Sequence, residues 1–354
     1  MNPFIEISGR RLGIDYEPLV IAELGINHGG SLEIAKRMVD EASKIGVEII
    51  KHQTHIVDDE MSLEAKNVIP GNSDISIYEI MKSCSLNEDD ERELQKYVKQ
   101  KGMLFISTPF SRKAAIRLES MDVPAYKIGS GECNNYPLIK HICEYQKPII
   151  LSTGMNDIIS VKKAVEIFRH YGIKFALLHC TNVYPTPPEL IRLNALTELK
   201  LAFPDAVIGL SDHSTTNYPS IAAVALGASI IERHFTDSND REGPDIICSM
   251  DPQSCKELLF ATKTVKKAME GSKIPIEEEK TTMNFAFATV VTIEKITKGE
   301  FFTSNNLWVK RPGIGEIPAE KYELVLGKKA NSDLQSGIHI KWSDVDNEKK
   351  TSIS

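Results

Sequence analysis

The chain has 354 residues, too many for one small domain and enough for a barrel of about 250 residues plus a smaller module. An apolar content of 42% and a charged content of 26% suit a chain that buries a large core, and no run approaches the roughly 18 apolar residues of a membrane-spanning helix. The net charge of -7 argues against general nucleic-acid binding, while leaving room for a local basic pocket. The six cysteines are scattered, without CxxC spacing, and no charged n-region with a long apolar stretch opens the chain. These features predict reduced thiols and a cytoplasmic location, with no membrane partner.

In chain order, residues 1–18 read as a short strand pair that caps a barrel bottom. Leu19 to Gly25 is the first buried strand. Ser31 is a candidate N-cap, and Leu32, Ile34, Ala35, Met38, Val39, Ala42 and Ile45 recur at helical spacing until Gly46. The cycle then repeats. Val47–Ile50 leads into Lys51-His-Gln-Thr-His55. The long polar segment 56–86 carries a turn at Pro70-Gly-Asn72 and a short helix near Ile77–Ser83; a connection that long after a barrel strand is usually functional. Further strands are predicted at Met103–Ser107, Ala125–Ile128, Pro148–Leu151, Phe175–His179, Ala206–Leu210 and Ser229–Arg233, each followed by a helix.

Eight strand–helix units in succession predict a (β/α)8 TIM barrel over residues 1–270. A doubly wound open sheet is the alternative, and the lack of a glycine-rich fingerprint after the first strand counts against it. Residues 271–284 read as a polar connector with Glu277–Glu279 solvated. From Phe285 to residue 354, short β-like runs (Ala288–Val291, Phe301–Phe302, Leu307–Val309, Ile338–Ile340) alternate with turn signals, predicting a small β-rich domain and a frayed tail.

In a barrel, chemistry sits at the C-terminal strand ends. Those positions carry Glu23; Lys51 and Gln53; Thr108; Lys127, Ser130 and Glu132; Ser152; Asn182; Ser211 and His213; and His234. Two lysines among hydroxyls and glycine turns suit a phosphate plus a carboxylate. A lysine flanked by apolar residues within a strand, as Lys127 is, needs an anion partner. A lone histidine at a strand end is more often structural than a ligand. Two on adjacent strands, His213 and His234, suit an openly held divalent ion, manganese or magnesium rather than a closed structural zinc. His28, His52 and His55 fit turn geometry or supporting hydrogen bonds equally well, and His170 and His339 read as surface residues.

Several blocks at these strand ends resemble the bacterial sialic acid (N-acetylneuraminate) synthase family. They are Glu23-Leu-Gly-Ile-Asn-His28, Lys51-His-Gln-Thr-His-Ile56, Ser107-Thr-Pro-Phe-Ser111, Lys127-Ile-Gly-Ser-Gly-Glu-Cys-Asn-Asn-Tyr-Pro137, Ser152-Thr-Gly-Met155, Leu210-Ser-Asp-His213, Glu232-Arg-His-Phe-Thr-Asp237 and Gly243-Pro-Asp-Ile246. Pro70-Gly-Asn72 with Ser76-Ile-Tyr-Glu-Ile80, Phe285-Ala-Phe and Asn306-Leu-Trp-Val-Lys-Arg-Pro-Gly313 extend the resemblance over nearly the whole chain, the last two in an antifreeze-like (SAF) module.

The resemblance implies condensation of phosphoenolpyruvate with N-acetylmannosamine to give N-acetylneuraminate and phosphate. It implies that His213 and His234 bind a divalent metal, manganese first, with magnesium or cobalt as alternatives. Lys51, Thr108, Lys127, Ser130, Ser152, Asn182 and Ser211 would hold phosphoenolpyruvate. Glu23 would handle protons at the sugar, and Glu132 would help deprotonate the attacking water. Gln53, Asn72, Tyr184, Asp245, Phe285 and Arg311 would contact the sugar. A domain-swapped homodimer is implied as well. Related synthases make legionaminic or pseudaminic acid from 2,4-diacetamido-6-deoxy hexoses; the Lys51-His-Gln stretch resembles the N-acetylneuraminate branch, where the others more often read Lys-Phe-Gln. A sugar-binding regulator without turnover and a barrel aldolase or epimerase acting without phosphoenolpyruvate are the competing functions.

Overall fold

The computed structural model describes residues 2–69 and 74–346. Eight parallel strands close a barrel: β3 (Leu19–Gly25), β4 (Ile49–Thr54), β5 (Leu104–Pro109), β6 (Tyr126–Ile128), β7 (Ile149–Ser152), β8 (Phe175–Cys180), β9 (Val207–Asp212) and β10 (Ile230–His234), with β10 paired back to β3. The open-sheet alternative is therefore excluded. Strand ends lie within a few residues of their predicted positions.

The local signals explain the helices. Ser31 caps Leu32–Ile45 by accepting from the Ile34 amide, and Gly46 ends it at φ 86°. Ala35, Met38, Val39 and Ala42 on that helix are buried in the layer between strands and helices, which is the main core. Burial of Met38 and of Val39 contributes about 1.5–3 kcal/mol each, and the two alanines less.

A second cluster fills the barrel's lower half, and it shows the period-two rule directly. Leu19 and Ile21, Ile49, Ile106, Ala125, Ile150, Ala176 and Leu178, Val207 and Ile230 pack together. The antiparallel pair β1 (Phe4–Ile7) and β2 (Arg10–Gly13) adds Ile5, Ile7 and Leu12 to the same cluster, so it plugs the bottom as expected. Two residues further along six of the strands, the inward positions turn polar, at Glu23, Lys51, Thr108, Lys127, Ser152 and Glu232; on β9 Gly209 intervenes and Ser211 follows, and β8 carries Cys180.

The chain divides into two compact units after Glu270. The second holds its own core of Val290, Ile296, Phe302, Leu307, Ile317, Val325, Ala330, Leu334, Ile340 and Val345. Its strands β11 (Thr289–Thr292) and β12 (Leu307–Lys310) pair antiparallel. The 271–284 connector is polar and Glu277–Glu279 is exposed, as expected; it also carries local structure, a 3-10 turn at Glu277–Glu279 leading into a helix, Lys280–Ala286, whose Asn284 carbonyl accepts from the Gly313 amide at 2.7 Å. Two expectations need correction. The runs at Phe301 and Ile338–Ile340 make single bridges (Phe301 with Lys329, His339 with Val291) rather than strands. His339 is not a surface residue; it is half-buried, with Nδ1 2.7 Å from the Thr289 hydroxyl. The 56–86 segment also holds a helical turn, Val57–Glu60, and a 3-10 turn, Leu63–Asn67, before its helix Ile77–Cys84. Asn72 and the tail beyond Asp346 lie outside the described residues.

The barrel interior is tight at Gly209, where an added Cβ would lie 2.4 Å from the Ile230 carbonyl oxygen and 2.4 Å from Leu178 Cδ2. Gly209→Ala is expected to cost about 1–3 kcal/mol through overpacking. Chemical denaturation checks it, and an unchanged midpoint would show that the strands part freely at this point.

Candidate active site

The polar layer at the barrel mouth is a buried charge cluster. Lys51 Nζ lies 2.9 Å from Glu23 Oε1 and 3.5 Å from Glu232 Oε1. Lys127 Nζ lies 3.7 Å from the same Glu232 oxygen and donates to Ser152 Oγ at 2.7 Å and to the Ile128 carbonyl at 3.1 Å. Thr108 Oγ1 is 3.4 Å from Lys51 Nζ, and Ser211 Oγ donates to Glu232 Oε1 at 3.2 Å. All four charged side chains are at most 5% exposed. An unpaired charge there would be prohibitively costly, so two ammoniums demand two carboxylates.

Proton affinities follow from that pairing. Burial alone pulls the Lys51 ammonium down, but Glu23 and Glu232 more than offset it and raise its pKa above the ordinary lysine value. Burial also dominates at Lys127; Glu232 offsets it only in part, and Lys51 repels, so this pKa is lowered. The Glu232 carboxyl is pushed up by burial and pulled down more strongly by Lys127, Lys51 and His234, and ends below the usual carboxylate range. The outer oxygens Glu23 Oε2 and Glu232 Oε2 are buried without a hydrogen-bond partner, leaving lone pairs unused beside the ammoniums.

Beside the cluster, the β6 and β7 turns interlock. Ser130 Oγ accepts from the Gly154 amide at 3.0 Å. Asn182 sits against Gly154 so closely that a Cβ there would lie 1.9 Å from Asn182 Oδ1, which is why this turn must be glycine. Asn182 Nδ2 reaches the Tyr184 hydroxyl at 3.3 Å, and the Tyr184 ring lies 4.1 Å from the His213 ring.

His213 and His234 face each other with ring centroids 5.5 Å apart. The Thr181 carbonyl, 3.0 Å from His213 Nδ1, can only accept, so that nitrogen carries the proton and Nε2 keeps its lone pair. His234 Nδ1 is buried without a hydrogen-bond partner, 3.7 Å from Asp245 Oδ2. Among the described residues, no group of three or more His, Cys, Asp or Glu side chains converges as a closed metal site. Two lone-pair nitrogens with few other protein donors fit an ion whose remaining positions go to substrate oxygens and water.

Above the cluster opens a cavity of about 460 Å³, within the range of small-molecule sites. Gln53, His55, Glu60, Glu132, Tyr184, His234 and Asp245 form its polar side; Ile26, Met61, Ile77, Ile80, Met81 and Phe110 form its apolar side. Gln53 Nε2 donates to Glu23 Oε1 at 2.8 Å. Burial raises the Glu132 carboxyl to about 7, with Glu60 adding and Lys127 subtracting, and its Oε2 has no hydrogen-bond partner. Phe285 and Arg311 belong to the second unit and are exposed there.

Sequence reasoning missed Glu232 and Glu60, and left His55 open between turn geometry and supporting hydrogen bonds. For Glu232 the signal was present: in Ile230-Ile-Glu-Arg-His, period two puts Ile230, Glu232 and His234 on one face. His52 makes supporting hydrogen bonds, one of the two readings its position allowed. It points to the helix side of β4, with Nδ1 3.1 Å from Glu91 Oε1 and Nε2 3.2 Å from His28 Nε2. It does not line the cavity. His55, three residues on, does line it.

Replacing Glu232 with Gln leaves two buried ammoniums sharing one carboxylate. The variant is expected to lose roughly 3 kcal/mol of stability, and inorganic phosphate should raise its melting temperature more than that of the wild type. An unchanged denaturation midpoint would remove Glu232 from the paired cluster.

Comparison with known proteins agrees with this geometry. The NeuB family profile matches residues 38–274, and the SAF domain profile matches residues 287–346. The chain is 37% identical over 343 residues to an uncharacterised protein of Methanocaldococcus jannaschii, covering 96% of this chain and 98% of that one. It is 36% identical over 323 residues to the N,N'-diacetyllegionaminic acid synthase of Campylobacter jejuni, covering 89% and 96%. The crystal structure of the N-acetylneuraminic acid synthetase of Leptospira borgpetersenii in complex with citrate superposes with a TM-score of 0.73 at 28% identity, over 80% of this chain and 96% of that one. A closed eight-stranded barrel followed by a SAF domain, matched over most of its length, places this chain in the NeuB family.

Proposed function

We propose that the protein is an N-acetylneuraminate synthase that joins phosphoenolpyruvate to N-acetylmannosamine and releases phosphate. The observation that carries this is the buried pair of lysines, Lys51 and Lys127, set below a cavity of sugar size. Phosphoenolpyruvate brings a phosphate and a carboxylate, and the cluster offers two ammoniums with Thr108, Ser130, Ser152, Asn182 and Ser211 as hydroxyl and amide partners. At rest those ammoniums are neutralised by Glu23 and Glu232, so an entering anion competes with carboxylates rather than with bulk water.

In the reaction, C3 of phosphoenolpyruvate bonds to the aldehyde carbon of the open-chain sugar. Water adds at C2, and the C2–O bond to phosphate breaks. Glu23 would handle the proton at the sugar oxygen. Glu132, with its raised proton affinity, suits a base that accepts the proton of the attacking water near neutral pH. His213 and His234 would hold a divalent ion, manganese by preference; when bound there, it supplies Lewis-acid polarisation of the aldehyde oxygen. Gln53, Tyr184 and Asp245 would orient the sugar, with Asn72. Phe285 and Arg311 would be contributed by the second unit of a domain-swapped homodimer, a lid that limits water around an enol phosphate.

A second reading rests on the apolar side of the cavity. Ile77, Ile80 and Met81 would suit the methyl groups of a 2,4-diacetamido-6-deoxy hexose, as expected of a legionaminic or pseudaminic acid synthase. Against it stands the polar row of Gln53, His55 and Glu60, which matches the free hydroxyls of N-acetylmannosamine.

With Mn2+, phosphoenolpyruvate and N-acetylmannosamine, the protein should release phosphate and form a nonulosonic acid, and chelation should stop it. Rates measured side by side with the diacetamido sugars decide between the two readings. No phosphate release with any mannosamine-type sugar would sink both. The pH profile tests Glu132 separately. A base must be ionised to act, so kcat/KM should fall tenfold per pH unit below about 7. Glu132→Gln should lower the rate and flatten that limb; a variant that keeps the limb would acquit Glu132.

A further inference from the structure

Four side chains form a hydrogen-bonded row: Glu60, His55 and Gln53 line the cavity, and Glu23 lies behind Gln53 at the end of the row. Glu60 holds His55 Nδ1, 3.0 Å from each of its oxygens. His55 Nε2 lies 3.1 Å from Gln53 Oε1, and Gln53 Nε2 lies 2.8 Å from Glu23 Oε1. The direction of every bond can be worked out from the Glu23 end. Glu23 is paired with the Lys51 ammonium at 2.9 Å, so its carboxylate only accepts. The Gln53 NH2 group must therefore face Glu23, and its carbonyl must face His55. A carbonyl only accepts, so His55 Nε2 carries a proton. The Glu60 carboxylate meets Nδ1 symmetrically, so that nitrogen carries one too.

We propose that His55 is an imidazolium that acts as a positioning residue, locking the Gln53 amide so that its NH2 group fixes the Glu23 carboxylate through Oε1. The ring is also held in place from one face: it lies flat on Phe110, with centroids 4.3 Å apart and planes 11° apart. Glu60 balances that cation, and both side chains are almost wholly buried, at 4% and 6% exposed. The consequence for Glu23 is specific. Lys51 and Gln53 both bind Oε1, while Oε2 is buried without a partner. The row thus engages one oxygen and leaves the other for a substrate proton. With Glu60 ionised, a neutral His55 could not hold Gln53 and Glu60 at once; the amide could then turn its carbonyl toward Glu23, and repulsion would shift the carboxylate.

The role assigned to Glu23 rests on the proposed condensation, but the protonation of His55 does not. Nitrogen-15 spectra of the full-length protein labelled at histidine, with His55 assigned by comparison with His55→Phe, should show protons on both ring nitrogens. A bare Nδ1 would place the proton on Glu60 and overturn the proposal. His55→Phe keeps the stack on Phe110 and loses both hydrogen bonds; its kcat is expected to fall roughly 100-fold, as for a small misplacement of a reacting group, while KM for phosphoenolpyruvate stays at the wild-type value. Glu60→Gln should show the same split, and His55→Gln, which restores one donor, should recover part of the rate. Equal losses on both substrates, or a wild-type kcat in His55→Phe, would reduce His55 to packing. If the wild type turns over no mannosamine-type sugar, the condensation reading falls, and the spectrum still decides the state of His55.

Discussion

Two ammonium groups inside a barrel set the terms for the rest of this molecule. Lys51 and Lys127 lie at 4% and 1% exposure, above an apolar plug that seals the lower half. Charges so placed must find opposite charges within the same layer. Glu23 on β3 and Glu232 on β10 supply them: Glu23 is the neighbour of Lys51 on the adjacent strand, and Glu232 reaches Lys51 across the closure of the barrel. The closure is thus functional as well as structural: β10 next to β3 is what lets Glu232 serve both lysines. The balance is deliberately poor at Lys127, whose carboxylate is 3.7 Å away. An incoming anion gains most at that end.

The site also depends on what stands behind the strands. Residues that alternate with the inward set are polar as well, and they are buried. His28, His52, Glu91, Thr54, Ser107 and Arg117 form a connected network on the helix side of β4 and β5. The Gly30 amide donates to His28 Nδ1, so His28 passes its own proton from Nε2 to His52, and His52 donates from Nδ1 to Glu91. Burial, with His52 and Arg241 adding, pushes His28 down to about 3, which keeps it neutral in that chain. On the other side of the barrel, Arg233 donates to Asn217 and the Ser214 carbonyl, and Asp212 accepts from Ser220. These networks fix the backbone of β4, β9 and β10, and through it the aim of Lys51, Gln53, Glu232 and the two histidines.

Much of this was legible in the sequence because a barrel converts period two into a map. Once eight strands are placed, every second residue near a C-terminal end is a site candidate, and Glu23, Lys51, Thr108, Lys127, Ser152, Ser211, His213 and His234 all follow. Pairing was not legible. Glu232 meets Lys51 across two strand boundaries and Lys127 across the barrel, contacts that no local spacing encodes. His52 and His55 were equivalent on paper; the strand's facing sends one to the helices and the other to the cavity. The second unit read least well. Its core is built from short runs joined by single bridges, so periodicity is too brief to separate strand from turn, and a helix formed where composition suggested a solvated connector.

The two carboxylates assigned to proton transfer occupy environments that separate their tasks. Glu23 touches an ammonium and an amide at one oxygen and is anchored by them. Glu132 touches no cation, lies in a mostly dry wall, and faces the negative Glu60, so its proton leaves only near neutral pH. A carboxylate held by strong donors is a poor acceptor of a water proton, whereas a desolvated one is a good acceptor. In the proposed condensation, water addition would therefore fall to Glu132, and the sugar oxygen to Glu23, beside the polar row. His55 connects these two halves of the cavity. By neutralising Glu60 it limits how far the second carboxylate can raise the first, and by holding Gln53 it steadies Glu23. One buried imidazole thus bears on both proton-handling groups without touching either.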